Sequence, residues 1–129
     1  MARKKHQLFV AVVEDDDSLR LAVRDLLDSQ GVMTRGFATA EAFLRSRQRD
    51  RVGCLILDVR LPGMSGVELH DRLRASGLSI PTIYATAEKD VDGKLQRRLL
   101  ESGALAVLTK PFNPERLTHL VLGALSRQR

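Results

Sequence analysis

The sequence predicts a doubly wound α/β domain, and three observations carry that expectation. Short apolar runs alternate five times with segments of helical period. The runs are nearly continuous rather than alternating with polar residues, as strands covered on both faces must be. Polar residues able to do chemistry stand at the ends of four of the five runs. Buried strands joined by amphipathic helices form a parallel sheet with right-handed crossovers and helices on both faces. Ligands of such folds bind beyond the carboxyl ends of the strands.

The first run, Leu8 to Val13, stops at the acids Glu14, Asp15, Asp16 and Asp17. From Ser18 the apolar positions Leu19, Ala22, Val23, Leu26 and Leu27 recur every three or four residues, one buried face of a helix that Gly31 ends. Val32 to Phe37 reads as an edge strand, and Thr39 is placed to cap a helix through Ala42, Phe43 and Leu44. Arg45 to Gly53 reads as a polar loop. Cys54 to Leu57 forms the third strand, ending at Asp58, and the breaker-rich Leu61 to Gly66 follows. Ser65 and Glu68 have the spacing of a capping box for the next helix. Pro81 opens a fourth strand, Thr82 to Ala85, that ends at Thr86. A helix carrying Leu95, Leu99 and Leu100 then runs to Gly103, and Ala104 to Leu108 is the fifth strand. Asn113 as cap and Pro114 at the first helical position start a last helix with Leu117, Leu120, Val121, Ala124 and Leu125 inward.

At 129 residues the chain has the size of one domain, enough to bury roughly two-thirds of its unfolded surface. The expected division is a basic extension over 1–7, one domain over 8–126, and a tail or start of a linker over 127–129. No stretch approaches the roughly 18 apolar residues of a membrane span, and the run after the basic start is too short for a secretory signal. The single cysteine, Cys54, excludes an intramolecular disulfide and reads as a buried packing residue of a cytoplasmic protein. The net charge of +5 collects at Arg3 to Lys5, Arg45 to Arg51, Arg97 and Arg98, and Arg127 to Arg129, without interleaved aromatics. That pattern reads as solvated surface rather than a nucleic-acid or membrane interface.

The topology brings Glu14, Asp15, Asp58, Thr86 and Lys110 to one edge of the sheet. Three carboxylates in a partly desolvated cleft repel one another, so cations belong there. A hard divalent ion with oxygen ligands and retained waters, as Mg²⁺ prefers, would offset the repulsion beside the fixed charge of Lys110. Each residue alone has a bland reading as a cap, a turn former or a surface charge. Their joint placement at neighbouring strand ends argues for a site.

The motifs VVEDD, LILDVRLPGMSG, TIYATA and LTKPF, spread from Leu8 to Leu125, resemble bacterial response-regulator receiver domains of the nitrogen-fixation and LuxR-type branch. The resemblance implies a flavodoxin-like sheet of order 2-1-3-4-5 and a self-catalysed phosphoryl switch in two-component signalling rather than a turnover enzyme. It implies Asp58 as the phosphoryl acceptor, with Thr86 as the switch hydroxyl and Lys110 as the lysine pairing the phosphoryl oxygens. It assigns Mg²⁺ to Glu14, Asp15, Asp58 and the backbone carbonyl of Arg60, where Glu14 departs from the more usual aspartate. Lys110-Pro111 matches the family's cis peptide. Arg60 and Glu88 match positions that shape water access, where they either pair across the site mouth and slow dephosphorylation or make only an exposed, screened contact. The implied partners are a sensor histidine kinase or phosphotransfer protein, with possible homodimer or output contacts through the fourth helix, fifth strand and last helix.

Val107 stands where many members carry an aromatic, so coupling of Thr86 to the output face is expected either to be weaker or to involve Tyr84, which otherwise reads as a strand residue with a satisfied hydroxyl. A small-molecule phosphatase using the same aspartyl phosphate would need an acid two residues after Asp58, where Arg60 stands and cannot release its proton. A degenerate interaction module is disfavoured by the presence of Asp15, Asp58, Thr86 and Lys110 together. DNA output is expected to need a further domain or partner.

Overall fold

The computed structural model describes residues 7–128, so most of the basic extension lies outside the described residues. The strands β1 (Phe9–Val13), β2 (Thr34–Phe37), β3 (Val52–Leu57), β4 (Thr82–Ala87) and β5 (Ala106–Lys110) alternate with five helices. These are α1 (Asp17–Asp28), α2 (Ala40–Leu44), α3 (Gly66–Ala75), α4 (Gly93–Glu101) and α5 (Pro114–Ser126). The sheet is parallel throughout, in the expected order β2-β1-β3-β4-β5. The order reverses between β1 and β3, whose ends carry Glu14 and Asp58.

Both faces of the sheet are covered, which explains the unbroken apolar runs. On one face Phe9, Ala11, Val13, Leu55, Leu57 and Tyr84 pack under Phe43, Leu69, Leu73 and Leu99 of α2, α3 and α4. On the other, Val10, Val12, Cys54, Ile56, Ile83 and Leu108 pack under Val23 and Leu27 of α1 and Leu117, Val121 and Ala124 of α5. Cys54 is buried as expected, and burial pushes its thiol up to about 12, which leaves it un-ionised and unreactive. Within α1, Ala22 departs from the expected buried stripe and is exposed. It lies on the rim of an apolar recess formed with Leu19, Leu26, Phe112 and Pro114. Leu100 of α4 is also exposed, since this short helix buries only Leu99 fully.

The strand starts differ from the sequence reading for one repeated reason. After α1, Gly31 has positive φ and donates to the Asp28 carbonyl, while the Val32 N–H reaches back to the Leu27 carbonyl at 3.1 Å. The same closure joins Leu78 to Leu73 after α3 and Ala104 to Leu99 after α4. The apolar residue after each glycine therefore finishes a helix instead of opening a strand. β2 and β5 begin two residues later than expected, and β5 runs on through Thr109 and Lys110. The reverse correction applies to β3. Arg49–Arg51 form a 3₁₀ turn, and Val52 and Gly53 already belong to the strand. At the other terminus Gln128, assigned to the tail, donates through Nε2 to the Gly53 carbonyl at 2.7 Å and the Ala124 carbonyl at 2.9 Å.

Caps agree with the sequence at Thr39, at Asn113 with Pro114 behind it, and in the capping box of Ser65 and Glu68. His70 of α3 points inward and is 4% exposed. Burial lowers its pKa from 6.5, with Arg74 adding to the shift and Asp71 opposing it. A depressed folded pKa means that the unfolded chain takes up the proton first, so this stability is complete above 6.5 and is lost as pH falls through the folded value. The unfolding free energy of the wild type is therefore expected to fall more steeply between about pH 6.5 and 5 than that of His70→Gln, as read by urea melts.

Candidate functional site

Backbone bonds that continue past the strand ends place the acids. The Glu14 N–H donates to the Phe37 carbonyl at 3.0 Å, and the Asp58 N–H donates to the Val13 carbonyl at 3.3 Å. Glu14 and Asp58 are thereby held side by side where the sheet order reverses. From β4 and β5, paired in register at Thr86 with Thr109 and at Ala87 with Lys110, come the hydroxyl and the ammonium.

The Asp58 carboxylate is 7% exposed as a residue and has donors on both oxygens. Thr86 Oγ1 donates to Oδ1 at 2.8 Å, and the Arg60 N–H donates to the same oxygen at 3.1 Å. Lys110 Nζ donates to Oδ2 at 2.8 Å and to Glu14 Oε1 at 2.8 Å. The other Glu14 oxygen, Oε2, accepts from the Asp16 N–H at 3.0 Å. Asp15 is exposed, yet one carboxylate oxygen each of Asp15, Glu14 and Asp58 lie within 4.8 Å of one another. That set of hard oxygen donors at one point fits a magnesium-sized cation with part of its water shell kept. The Lys110-Pro111 peptide is cis, as the resemblance implied.

Burial and charge oppose each other here. The Glu14 carboxyl is raised above 4.5 chiefly by burial, with the charge of Asp58 adding to it, and the bonds from Lys110 and Asp16 do not cancel the shift. Burial also pulls the Lys110 ammonium down, but the bonds from Asp58 and Glu14 outweigh it and its pKa lies above 10.5. Lys110 is therefore a permanent cation between two buried acids.

Arg60 is corrected in one respect. Its side chain is 77% exposed and its Nη1 lies 3.6 Å from Asp90 Oδ1, so its ionic partner is Asp90 and not Glu88. The 3₁₀ turn over Glu88–Asp90 brings the third residue of that segment, not the first, to the site mouth. With its arginine largely in solvent and the charges 3.6 Å apart, this pair contributes at most about 1 kcal/mol. The Tyr84 hydroxyl is likewise not satisfied. It is buried without a hydrogen-bond partner among the described residues.

Supporting residues were not legible in the motifs. Arg20 of α1 donates through Nη1 to the Glu14 carbonyl at 2.7 Å and through Nη2 to Asp17 at 2.6 Å, tying the acidic loop to its helix. Glu41 Oε2 accepts from the Met64 N–H at 2.9 Å, a bond that lowers the Glu41 pKa and pins the loop after Asp58. Gly66 opens α3 against Asp58 itself, where a Cβ would stand 2.0 Å from the Asp58 carbonyl oxygen. A glycine at the start of a helix usually reads as a neutral choice, so nothing in the sequence marked it.

Residues 10–122 match the response regulator receiver domain family. The chain is 38% identical over 120 residues to nodulation protein W of Bradyrhizobium diazoefficiens, covering 93% of this chain and 52% of that protein. It is 35% identical over 125 residues to the transcriptional regulatory protein FixJ of the same organism, covering 97% and 58%. The solved response regulator StyR superposes with a TM-score of 0.85 at 38% identity, over 94% of this chain and 60% of that one. The chain thus spans about half the length of the curated relatives it matches. With the fold, the acidic trio and these likenesses together, the chain belongs to the response regulator receiver domains, the phosphoryl-accepting modules of two-component signalling.

Proposed function

We propose that Asp58 is the phosphoryl acceptor of this domain and that Glu14, Asp15, Asp58 and the Arg60 carbonyl hold Mg²⁺. The observation that carries the reading is the bracketed Asp58 carboxylate, with Thr86 on Oδ1 and Lys110 on Oδ2 beside two further acids. An Asp58 oxygen attacks phosphorus in line, an O–P bond forms, and the donor's bond to phosphorus breaks with its electron pair leaving on the donor. The Thr86 hydroxyl and the Lys110 ammonium stand ready for the charge that spreads over the transferred oxygens. Mg²⁺, when bound, supplies the remaining neutralisation of carboxylate and phosphoryl charge. Water attack on the same phosphorus returns the carboxylate and inorganic phosphate, so the domain works as a resettable switch and not as a turnover enzyme.

The donor class is a phosphohistidine of a sensor histidine kinase or phosphotransfer protein, or a small acyl phosphate. Residues 8–126 form the switching unit in this reading, and the cytoplasm is its compartment. Among the described residues no helix is long and apolar enough to cross a membrane. The output or homodimer surface is the α4, β5 and α5 face, where Leu100 and Leu105 are exposed. Nucleic acid is not a partner of this domain itself.

Incubation with acetyl phosphate and Mg²⁺, followed by intact-mass measurement, tests the core of this. One phosphoryl group is expected on the wild type, and none on Asp58→Asn or in the presence of a chelator. An unmodified wild type, or modification persisting in Asp58→Asn, overturns the assignment.

A further inference from the structure

Tyr84 is fully buried in the middle of β4, and its hydroxyl has no hydrogen-bond partner among the described residues. A buried donor left unpaired gives up its hydration for nothing, and a phenylalanine of the same shape would avoid that cost. The position of the ring makes the orphan informative. Tyr84 and Thr86 are two apart on one strand and so face the same side of the sheet. Across the ladder Tyr84 is paired with Val107 of β5, a small side chain. Over it lies α3, whose His70 meets the tyrosine ring edge to face at a centroid distance of 5.8 Å. Burial keeps that imidazole neutral near pH 7, so one ring nitrogen is an acceptor.

At the other end of this short path, the Thr86 hydroxyl donates to Asp58 Oδ1 at 2.8 Å. A phosphoryl group on Asp58 moves the negative charge outward, onto the new oxygens, and the best acceptor for that hydroxyl moves with it. We propose that Tyr84 and His70 are the coupling pair of this domain: as Thr86 follows the charge, the Tyr84 ring shifts, its hydroxyl closes a hydrogen bond onto the His70 imidazole, and α3 receives the change. This rests on Asp58 being the phosphoryl acceptor. The unphosphorylated state then holds an unmet donor that the phosphorylated state satisfies, which biases the equilibrium toward the latter. An orphan hydroxyl is thus a reason for a tyrosine at this position, where packing alone gives none.

The chain supplies its own reporter, since Tyr84 is its single tyrosine and it has no tryptophan. An excited phenol is a stronger acid than in its ground state, so a neutral imidazole within hydrogen-bond reach quenches its emission. With acetyl phosphate and Mg²⁺, loss of tyrosine emission is expected in step with phosphoryl uptake followed by mass. His70→Phe keeps the ring contact and removes the acceptor, so it should take up phosphate with no loss of emission. In Tyr84→Phe the rise in melting temperature on phosphorylation should shrink by about 3–5 °C, the effect of one hydrogen bond in a domain of this size. A ring with only a packing role would shift both forms equally. Uptake with unchanged emission, or quenching that persists in His70→Phe, overturns the coupling alone. Failure of phosphoryl uptake in the wild type overturns the acceptor assignment and the coupling with it, and the mass readout tells the two failures apart.

Discussion

Gly66→Ala should unfold the domain at a temperature about 10–20 °C below the wild type, while Gly93→Ala should leave it unchanged or slightly more stable. The two glycines occupy the same position in their helices, the first residue after an N-cap, Ser65 in α3 and Asp92 in α4. Helix propensity alone favours alanine at both by up to about 1 kcal/mol. What differs is the surroundings. A Cβ on Gly66 would stand 2.0 Å from the Asp58 carbonyl oxygen and 2.9 Å from its carbonyl carbon, and both are backbone atoms. A Cβ on Gly93 meets nothing closer than the flexible end of Arg97 at 3.7 Å. Relief at Gly66 requires α3 or the Asp58 backbone to move by more than an ångström, at an expected cost of about 3–5 kcal/mol. The same displacement misplaces the nucleophile, so any folded fraction should take up phosphate about a hundredfold more slowly. Thermal melts of the two variants, with acetyl phosphate labelling of whatever folds, check both parts. Equal melting temperatures would show that α3 slides freely over Asp58.

The difference between these glycines is also a measure of what the sequence could show. Local signals were readable wherever one residue type has one dominant use. Gly31 ended α1, Ser65 and Glu68 capped α3, and Pro114 began α5. The unbroken run of β1 announced a strand buried on both faces. The site was readable for a related reason. Asp58, Thr86 and Lys110 are polar residues closing apolar runs, and a parallel sheet leaves such residues at one edge. Contacts set by three-dimensional approach were not readable. Nothing in the spacing of Arg60, Glu88 and Asp90 says which acid the arginine meets, because that depends on how a 3₁₀ turn swings the segment after β4. Val32 and Ala104 look like strand residues by composition, and only the bonds back to Leu27 and Leu99 show that they finish helices. The unpaired hydroxyl of Tyr84 depends on what α3 places above it.

Lys110→Met separates the two cationic requirements of the site. In the wild type the ammonium is shared between Glu14 Oε1 and Asp58 Oδ2, 2.8 Å from each, and only 23% of its side chain is exposed. Methionine retains most of the stem and removes the charge. Two buried acids then face each other with neutral donors but no fixed cation, so the magnesium-free variant should lose stability at neutral pH by about 3 kcal/mol, the lower end for unpairing a buried ion pair because Lys110 keeps some contact with water. The pH dependence follows from the raised Glu14 pKa. A carboxyl with a folded pKa above its unfolded value favours folding fully below 4.5, and that contribution is lost as pH rises through the folded value. Without Lys110 the shift grows, so acidification from pH 7 toward 5 should narrow the stability gap between variant and wild type. Added Mg²⁺ should do the same at neutral pH, raising the melting temperature of the variant more than that of the wild type because the ion no longer competes with a fixed charge. Phosphoryl uptake should nevertheless fall by a factor of about 10²–10³, since the oxygen that Lys110 would meet has lost its fixed partner. Tighter Mg²⁺ binding with slower uptake is the signature of a lysine that stabilises transferred charge. If uptake survived unchanged, Lys110 would be only a structural counter-ion for Glu14 and Asp58.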